Sequence, residues 1–253
     1  MIILLGENDE KFPFSNANGR QGTAFFNDGY VAPKPLIEIH DRPFFYWSTM
    51  SILKYNPDCD VTFVVLKEHI EKFDIKNRIL SYFPQARVEV IPEVLAGAVL
   101  TCMAGVENIN DDRPILFNDC DHMFCCSEFN SMDEKSAAKY DGLLFTFKSD
   151  LPQFSYALCD ENGVVIRTQE KVVISDNAIC GAYYFRNKDI FLENAKRYLS
   201  ECEYSEYFMS GVYNSMIKNK LISGVVGTDY HISFGTPAEY QDAVDRLEFG
   251  ELL

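Results

Sequence analysis

The sequence lacks a long apolar run, and it has far fewer basic residues than acidic ones. No apolar run reaches the roughly 18 residues that a membrane-crossing helix needs, so we expect no membrane-spanning segment. Asp and Glu outnumber Lys and Arg by 38 to 23, which gives a net charge of −15 at pH 7. Such a chain has no broad basic face for nucleic-acid phosphates, although one local basic pocket for a nucleotide remains compatible with it.

The sequence also lacks the marks of an exported, disulfide-bonded protein. Its start, MIILLGENDE, has no basic leader and no cleavage pattern, so we interpret it as a first buried strand. None of the eight cysteines forms a CxxC pair, and we expect reduced thiols in a cytoplasmic protein. The cluster CDHMFCC, with Cys120, His122 and Cys126, could be interpreted as a zinc site, but its spacing fits no standard zinc module.

Strands and helices alternate along the first half of the sequence. DVTFVVL (residues 60–66) is apolar at nearly every position, as in a strand covered on both faces. Apolar spacing predicts helices over residues 42–55, 68–83 and 97–109. This alternation predicts βαβ units and a parallel sheet. The second half is richer in strands, and DENG (160–163) is predicted to be a hairpin turn. We predict one compact α/β domain over residues 1–253.

Lys34 stands between two prolines, shortly after a glycine-containing loop. In GRQGTAFFNDGYVAPKPLIEI (residues 19–39), the prolines fix their own φ and favour extended geometry in the residues before them. We therefore predict that Lys34 lies on a stiff, extended arm. A cation beside free backbone N–H groups is typical of a phosphate site. A surface loop entering a strand would give the same pattern, and this stretch alone does not decide between the two.

The apolar segment RPILFNDCDHMF (113–124) is predicted to be a buried strand that runs into the acidic residues Asp119 and Asp121. Two carboxylates at positions i and i+2 of an extended segment point to the same side. At the carboxyl end of a parallel strand, where α/β sheets bind ligands, they can hold Mg²⁺ or Mn²⁺. A solvated loop would contain the same pair.

Two other short motifs occur in the second half. Glu170 and Lys171 close a predicted strand, where the lysine could meet a substrate phosphate. A surface ion pair, worth less than about 1 kcal/mol, is the alternative. Thr236 before Pro237 is predicted to cap a helix, and this structural role is sufficient for that motif.

The order of these motifs resembles the sugar-phosphate nucleotidyltransferases. The most specific segment, GYVAPKPLIEIHDRPFFYW (29–47), is similar to GYxxPKPLIxIxGKPxIxW of that family. ILFNDCDHMF, SDNAICGAYYF, YFMSGVYNSMIKN and FGTPAEYQDA support the resemblance, which covers nearly the whole chain. It implies a Rossmann-like, GT-A-like fold, with a mixed, mainly parallel sheet flanked by helices and a β-rich second half. It also implies a nucleotide-binding half (1–125) and an acceptor-binding half (126–253).

The resemblance implies a role for each matching position. Lys34 would contact the phosphates of a nucleoside triphosphate, with Arg20 as a second catalytic cation. Asp121 would ligate Mg²⁺ or Mn²⁺, with Asp119 and Asp229 as further metal ligands. Nucleotide binding is implied at Leu5, Gly6, Gly22, Thr23, Gly97 and Ala98, and acceptor binding at Lys171, Glu170 and Asn177. Transfer of this kind needs in-line placement and charge neutralisation more than covalent help.

Two positions depart from the family's pattern. Ala24 stands where the family's glycine loop has an arginine, and Arg20 or Lys11 is expected to substitute for it. Ser233 stands where the family has an aspartate before FGTP, which is the reason for including Asp229 among the metal ligands.

Within the family, the sequence is most similar to the CTP:phosphoglutamine cytidylyltransferases of capsule phosphoramidate synthesis. That implies CTP and L-glutamine phosphate as substrates, and the alternative is a sugar 1-phosphate that yields a nucleotide sugar. A metal-dependent glycosyltransferase would use Asp119 and Asp121 as its metal motif but would have no purpose for PKPLI. A non-catalytic nucleotide-binding regulator is the third alternative, which Ala24 and Ser233 favour.

Overall fold

A nine-stranded mixed sheet forms the centre of the protein, whose computed structural model describes residues 2–5, 25, 32–246 and 248–252. The strands are β1 (Ile2–Leu5), β2 (Glu38–Ile39), β3 (Arg42–Pro43), β4 (Val61–Leu66), β5 (Arg87–Ile91), β6 (Ile115–Asp119), β7 (His122–Cys125), β8 (Gly142–Lys148), β9 (Tyr156–Cys159), β10 (Val165–Gln169), β11 (Asn177–Phe185), β12 (Ser223–Gly227) and β13 (Tyr230–Ser233).

Helices connect most of these strands. They are α1 (Phe44–Leu53), α2 (Lys67–Phe73), α3 (Ile75–Tyr82), α4 (Ala98–Val106), α5 (Ser127–Asn130), α6 (Glu134–Ala137), α7 (Lys188–Glu201), α8 (Met209–Lys218), α9 (Pro237–Val244) and α10 (Glu248–Glu251). Within the described ranges, no helix is long and apolar enough to cross a membrane.

The first half of the chain forms the parallel part of the sheet. β1 lies between β4 and β6, is parallel to both, and places Leu5 beside Val64 and Asp119. β5 extends this part as a further parallel strand beside β4. The carboxyl ends of these strands therefore share one edge of the sheet, where parallel α/β sheets bind their ligands.

The second half adds the antiparallel part. β11 runs antiparallel to β6, β8 and β9, whereas β12 is parallel to β8. β9 and β10 form the predicted hairpin, in which Asp160 N donates a hydrogen bond to Val164 O at 2.8 Å. The sheet is mixed, as predicted, because antiparallel strands from the second half continue the parallel sheet of the first.

Helices cover both faces of the sheet. All six residues of β4 are buried, as predicted for a strand between two layers. Val64 and Leu66 belong to the core that contains α4, α7 and α8, whereas Phe63 and Val65 pack with α1 and α3. Each fully buried side chain of this size stabilises the fold by about 1.5–3 kcal/mol.

Two predicted elements are divided in the structure. The single helix predicted over 68–83 is α2 followed by α3, because Asp74 between them has a left-handed φ of 52°. Aspartate tolerates that conformation better than most residues. The strand predicted to run from RPILF into DHMF ends at Asp119, and β7 then leaves the sheet to pair with β13. Asp121 thus lies in the break between two strands.

The predicted cap of α9 is confirmed. Thr236 Oγ1 accepts a hydrogen bond from Glu239 N at 3.3 Å, and the Glu239 carboxylate accepts one from Thr236 N at 3.1 Å. Together these bonds form a capping box with Pro237 at the start of the helix.

Candidate active site

Lys34 meets Asp121 at the carboxyl edge of the parallel strands. Lys34 Nζ donates a hydrogen bond to Asp121 Oδ2 at 3.2 Å, and the two side chains are only 12% and 15% exposed. Removing two charges from water is costly unless further groups share them, so an enclosed pair of this kind is a candidate site for a charged ligand.

The backbone of Lys34 forms a turn rather than the predicted extended arm. Lys34–Leu36 is one turn of 3₁₀ helix, in which Leu36 N donates to Pro33 O at 2.8 Å. Buried Pro35 and Leu36 anchor the turn against the core. The prediction of an extended arm is therefore wrong, because packing of Pro35 and Leu36 and the hydrogen bonds of the turn place the backbone of Lys34 in a helical turn.

Asp119 is the second carboxyl group of the site. Its surroundings raise its pKa to about 8, first through burial and then through the nearby Asp121 carboxylate, and Lys34 acts in the opposite direction. Gly181 of β11 lies directly against it, since a Cβ there would stand 2.7 Å from Asp119 Oδ2. Sequence reasoning missed this role of Gly181, although a glycine inside an apolar strand often marks a close approach.

The segment FGTP also contacts Asp121. Phe234 N donates a hydrogen bond to Asp121 O at 2.9 Å, and a Cβ on Gly235 would overlap Asp121 Oδ2. The purely structural interpretation of this motif is therefore incomplete, because the motif that starts α9 also shapes the space around Asp121.

Glu170 and Lys171 lie near the carboxylate cluster that Asp119 and Asp121 form. The Glu170 carboxylate accepts hydrogen bonds from Ser155 Oγ and, at 3.0 Å, from Ser210 Oγ. Its negative charge contributes to the raised pKa of Asp119. Lys171 is exposed, and its ammonium lies 5.4 Å from the centroid of the Phe208 ring.

Gly97 and Ala98 form the N-terminus of α4, which packs on the parallel strands. Gly97 has a φ of +132°, and the backbone of Tyr207 lies so close that a Cβ on Gly97 would overlap it. Val99 N donates a hydrogen bond to Tyr207 O at 3.1 Å. Backbone from the segment before α8 therefore packs directly against the predicted nucleotide-binding residue Gly97.

Asp229 and Asp121 lie at opposite ends of the β7–β13 ribbon. Asp229 N donates to the carbonyl oxygen of Cys125, the last residue of β7, whereas Asp121 directly precedes β7. About three strand residues, at about 3.3 Å each, separate the two ends. The Asp229 carboxylate accepts a hydrogen bond of 2.7 Å from Ser127 N. The structure does not bring Asp229 to Asp121, so we leave it out of the proposed site.

Asn177 is also separate from the cluster. It begins β11, four residues before Gly181, and its Oδ1 accepts a hydrogen bond of 3.0 Å from Lys148 Nζ. Of the other predicted positions, Leu5 is described by its backbone, which lies beside Asp119. Several predictions fall outside the described residues: those on Gly6, Lys11, Arg20, Gly22, Thr23 and Ala24.

Two neutral histidines lie beside Asp121. The rings of His122 and His231 are 5.3 Å apart, and His122 Nε2 lies 3.0 Å from Asn118 Oδ1. Burial lowers the pKa of His122 to about 4 and that of His231 well below its ordinary value. At neutral pH, these rings therefore add no positive charge that would compete with Lys34.

The carboxylates fit a hard cation better than zinc. In the described part of the chain, no group of three or more His, Cys, Asp or Glu side chains is arranged to hold a metal ion, which gives the zinc interpretation no support. Mg²⁺ differs because one or two protein carboxylates suffice when substrate phosphates and water complete its octahedron. Asp121 and Asp119, each with a glycine against its carboxyl group, provide such a pair.

Replacing Asp119 by asparagine is expected to weaken the dependence of stability on pH. An unfolded aspartate has a pKa of about 4, below the folded value of about 8. Between these values the unfolded chain binds fewer protons than the folded one, so stability falls as pH rises. Urea unfolding of the metal-free protein between about pH 5.5 and 8 should show a shallower fall for Asp119→Asn than for the wild type. Equal slopes would contradict the raised pKa.

The chain was compared with protein families and with proteins of known function. No family model matches the chain. The D-glycero-alpha-D-manno-heptose 1-phosphate guanylyltransferase of Campylobacter jejuni subsp. jejuni serotype O:2 is 25% identical over 208 residues, which are 82% of this chain and 87% of the relative.

Two solved structures superpose over almost the whole chain. The nucleoside-diphosphate-sugar pyrophosphorylase from Vibrio cholerae RC9 has a TM-score of 0.80 at 23% identity and covers 97% of this chain and 100% of that chain. The inositol-1-phosphate CTP transferase from T. maritima has a TM-score of 0.72 at 16% identity and covers 99% and 93%. The chain therefore has the mixed α/β fold of the nucleotidyltransferases and is similar in sequence to a sugar-phosphate nucleotidyltransferase.

Proposed function

We propose that the protein transfers a nucleoside monophosphate from a nucleoside triphosphate to a small phosphorylated acceptor and releases pyrophosphate. The observation that carries this proposal is the enclosed contact between Lys34 and Asp121, 3.2 Å long. It brings an ammonium and a carboxylate together at the carboxyl edge of the parallel strands, the part of such sheets where ligands bind. Phosphoryl-type transfer needs both kinds of charge around the reacting phosphorus.

In this mechanism, an oxygen of the acceptor's phosphate attacks the α-phosphorus of the triphosphate. The bond from that phosphorus to the bridging oxygen breaks, and pyrophosphate leaves. Lys34 offsets the negative charge that develops on the α-phosphate. Lys171 binds the acceptor's phosphate, while the backbone at Gly97 and Ala98 holds the base. The attacking oxygen is already anionic, so the reaction requires no strong general base.

Asp121 and Asp119 would hold a divalent cation, Mg²⁺ or Mn²⁺. When bound, this cation supplies charge neutralisation between the nucleotide phosphates and the acceptor. Lys34 and the cation would then share the Asp121 carboxylate. Because Asp119 binds a proton up to about pH 8 without metal, metal binding at neutral pH should release that proton.

The base and the acceptor are narrower proposals. The sequence resemblance to the CTP:phosphoglutamine cytidylyltransferases supports CTP and L-glutamine phosphate. The similarity to a heptose 1-phosphate guanylyltransferase favours a second candidate, a sugar 1-phosphate that becomes a nucleotide sugar. Both hypotheses use the same reaction at the same residues. They differ in the base of the nucleotide and in the group that carries the acceptor's phosphate.

Pyrophosphate release tests the proposal directly. The purified chain would be given each of ATP, CTP, GTP and UTP with Mg²⁺ or Mn²⁺, and with L-glutamine phosphate or a panel of sugar 1-phosphates. We expect release that requires a nucleotide, a metal and an acceptor together, and the productive pair identifies both substrates. In a separate incubation with nucleotide sugars, consumption of the nucleotide sugar without release of pyrophosphate would instead indicate a glycosyltransferase. Nucleotide binding without release for any pair would indicate a regulator.

Asp121→Asn should abolish the metal-dependent reaction while leaving the fold intact. Asparagine keeps the size of the side chain but removes the charge that holds the cation and pairs with Lys34. We expect turnover to fall by at least about 100-fold. The matched control is Asp176→Asn, since Asp176 is an exposed aspartate paired with Lys148 on the surface. If Asp121→Asn retained wild-type turnover across a range of Mg²⁺ concentrations, Asp121 would not be a metal ligand.

A further inference from the structure

The ammonium of Lys171 is supported by an aromatic ring. It lies 5.4 Å from the centroid of Phe208, within the range of a cation–π interaction. Within the described ranges, no carboxylate forms an ion pair with Lys171, although the chain has a net charge of −15. A lysine held by a ring keeps its three N–H donors available to an anion, which a lysine held by a carboxylate does not.

Both partners of this contact are fixed through their backbones. Lys171 has a φ of 53°, a left-handed conformation that costs free energy in a lysine and persists only where neighbouring structure imposes it. The side chain of Asn214, in α8, holds the backbone three residues before Lys171. It accepts a hydrogen bond from Thr168 N at 2.8 Å and donates one to Thr168 O at 2.9 Å. Phe208 directly precedes α8, and its N donates to Tyr198 Oη at 3.3 Å.

The segment that contains Phe208 also contacts the chain next to Gly97, a predicted nucleotide-binding residue. Tyr207 N donates a hydrogen bond to Ala96 O at 3.0 Å, next to Gly97. On the acceptor side, Gln169 Nε2 donates to Tyr204 Oη at 2.7 Å, and the Tyr204 and Phe208 rings meet edge to face with centroids 5.8 Å apart. The ring of Phe208 therefore belongs to a segment that is bonded on one side to Ala96, next to the predicted nucleotide site, and on the other to Gln169, next to the predicted acceptor site.

We propose that Phe208 is a positioning residue for acceptor binding, which holds the Lys171 ammonium where it receives the acceptor's phosphate. This inference rests on the proposed function and deepens it, because it assigns the recognition of the acceptor's phosphate to a lysine–aromatic pair. The ligand class is a phosphate monoester. Loss of the ring should weaken acceptor binding and leave nucleotide binding unchanged.

A double-mutant cycle separates positioning from simple packing. Phe208→Leu keeps an apolar side chain but removes the ring face, and Phe208→Tyr keeps the face. Lys171→Met removes the ammonium and keeps the length of the side chain. Phe73→Leu, in a half-buried phenylalanine of α2, is the matched control. The readouts are the KM values for acceptor and nucleotide in pyrophosphate release, and the Kd of inorganic phosphate by calorimetry.

We expect Phe208→Leu to raise the acceptor KM and the phosphate Kd about fivefold, with an unchanged nucleotide KM and with recovery in Phe208→Tyr. In the Lys171→Met background, Phe208→Leu should have no further effect on either constant. An equal effect in both backgrounds, or none in either, would overturn the inference. If the wild type released no pyrophosphate with any pair, the proposed function would fail, while phosphate binding would still report on the Lys171–Phe208 pair.

Discussion

Lys34→Ala should reduce pyrophosphate release by about 100- to 1,000-fold at saturating nucleotide and acceptor. Lys34 is the cation that the structure places within 3.2 Å of the Asp121 carboxylate, and it is largely shielded from water. In such a site, a positive charge aimed at the developing negative charge acts far more strongly than in solvent. The measurement is steady-state turnover with the productive substrate pair.

Two further variants serve as controls for Lys34→Ala. Lys67→Ala removes an exposed lysine that pairs with Glu71 on α2, and it should leave turnover unchanged. Lys34→Arg keeps the charge but replaces a compact ammonium by a planar fork, so we expect it to recover only part of the activity. Thermal unfolding of all three variants checks that the fold is retained. Turnover of Lys34→Ala above about a third of the wild-type value would remove Lys34 from the mechanism.

Gly181→Ala should cost about 2–4 kcal/mol of stability and most of the activity. Two independent effects act at this position. The φ of +93° is strained for any residue with a Cβ, and that Cβ would lie 2.7 Å from Asp119 Oδ2. β11 pairs with β6 from Ala182 onward and with β8 on both sides of a register shift that contains Gly181, so a movement of Gly181 away from Asp119 would disturb these flanking pairs. Urea unfolding and pyrophosphate release measure the two losses.

A control glycine and a double variant test whether the overlap with Asp119 causes the loss of stability in Gly181→Ala. Gly227→Ala is the control, since a Cβ at this position of β12 has no neighbouring atom within 4 Å. Combining Gly181→Ala with Asp119→Ala removes the steric overlap but keeps the backbone strain. The double variant should therefore lose less stability than the sum of the two single variants. Strict additivity would mean that the close approach to Asp119 has no energetic effect.

The fold could be predicted where local patterns and packing agree. β4 is apolar at every position except Thr62 because both of its faces are covered, and the structure buries all six of its residues. The hairpin at 160–163 and the helix cap at Thr236 followed from turn and capping preferences that act over a few residues. The break between α2 and α3 was missed because Asp74 has a backbone conformation that aspartate permits but does not require.

The site could be predicted only as a set of separate motifs. The pairing of Lys34 with Asp121 joins residues 87 positions apart, which no local pattern encodes. Asp229 looked as suitable as Asp119 in the sequence, but the antiparallel register of β7 and β13 places it at the far end of their ribbon. Phe208 lies in the segment YFMSGVYNSMIKN, but the resemblance assigns it no role, and its place beneath Lys171 depends on how α8 packs against β10.

The sequence by itself determined the chemistry that this protein has available. Its charge, its apolar alternation and its motifs indicated an α/β sheet with lysines and carboxylates at one edge. The tertiary structure decided which of those groups meet, since strand register and helix packing fix distances between residues far apart in the chain. It also decided the protonation of Asp119 and the support of Lys171, because burial and neighbouring charges exist only once the chain is folded.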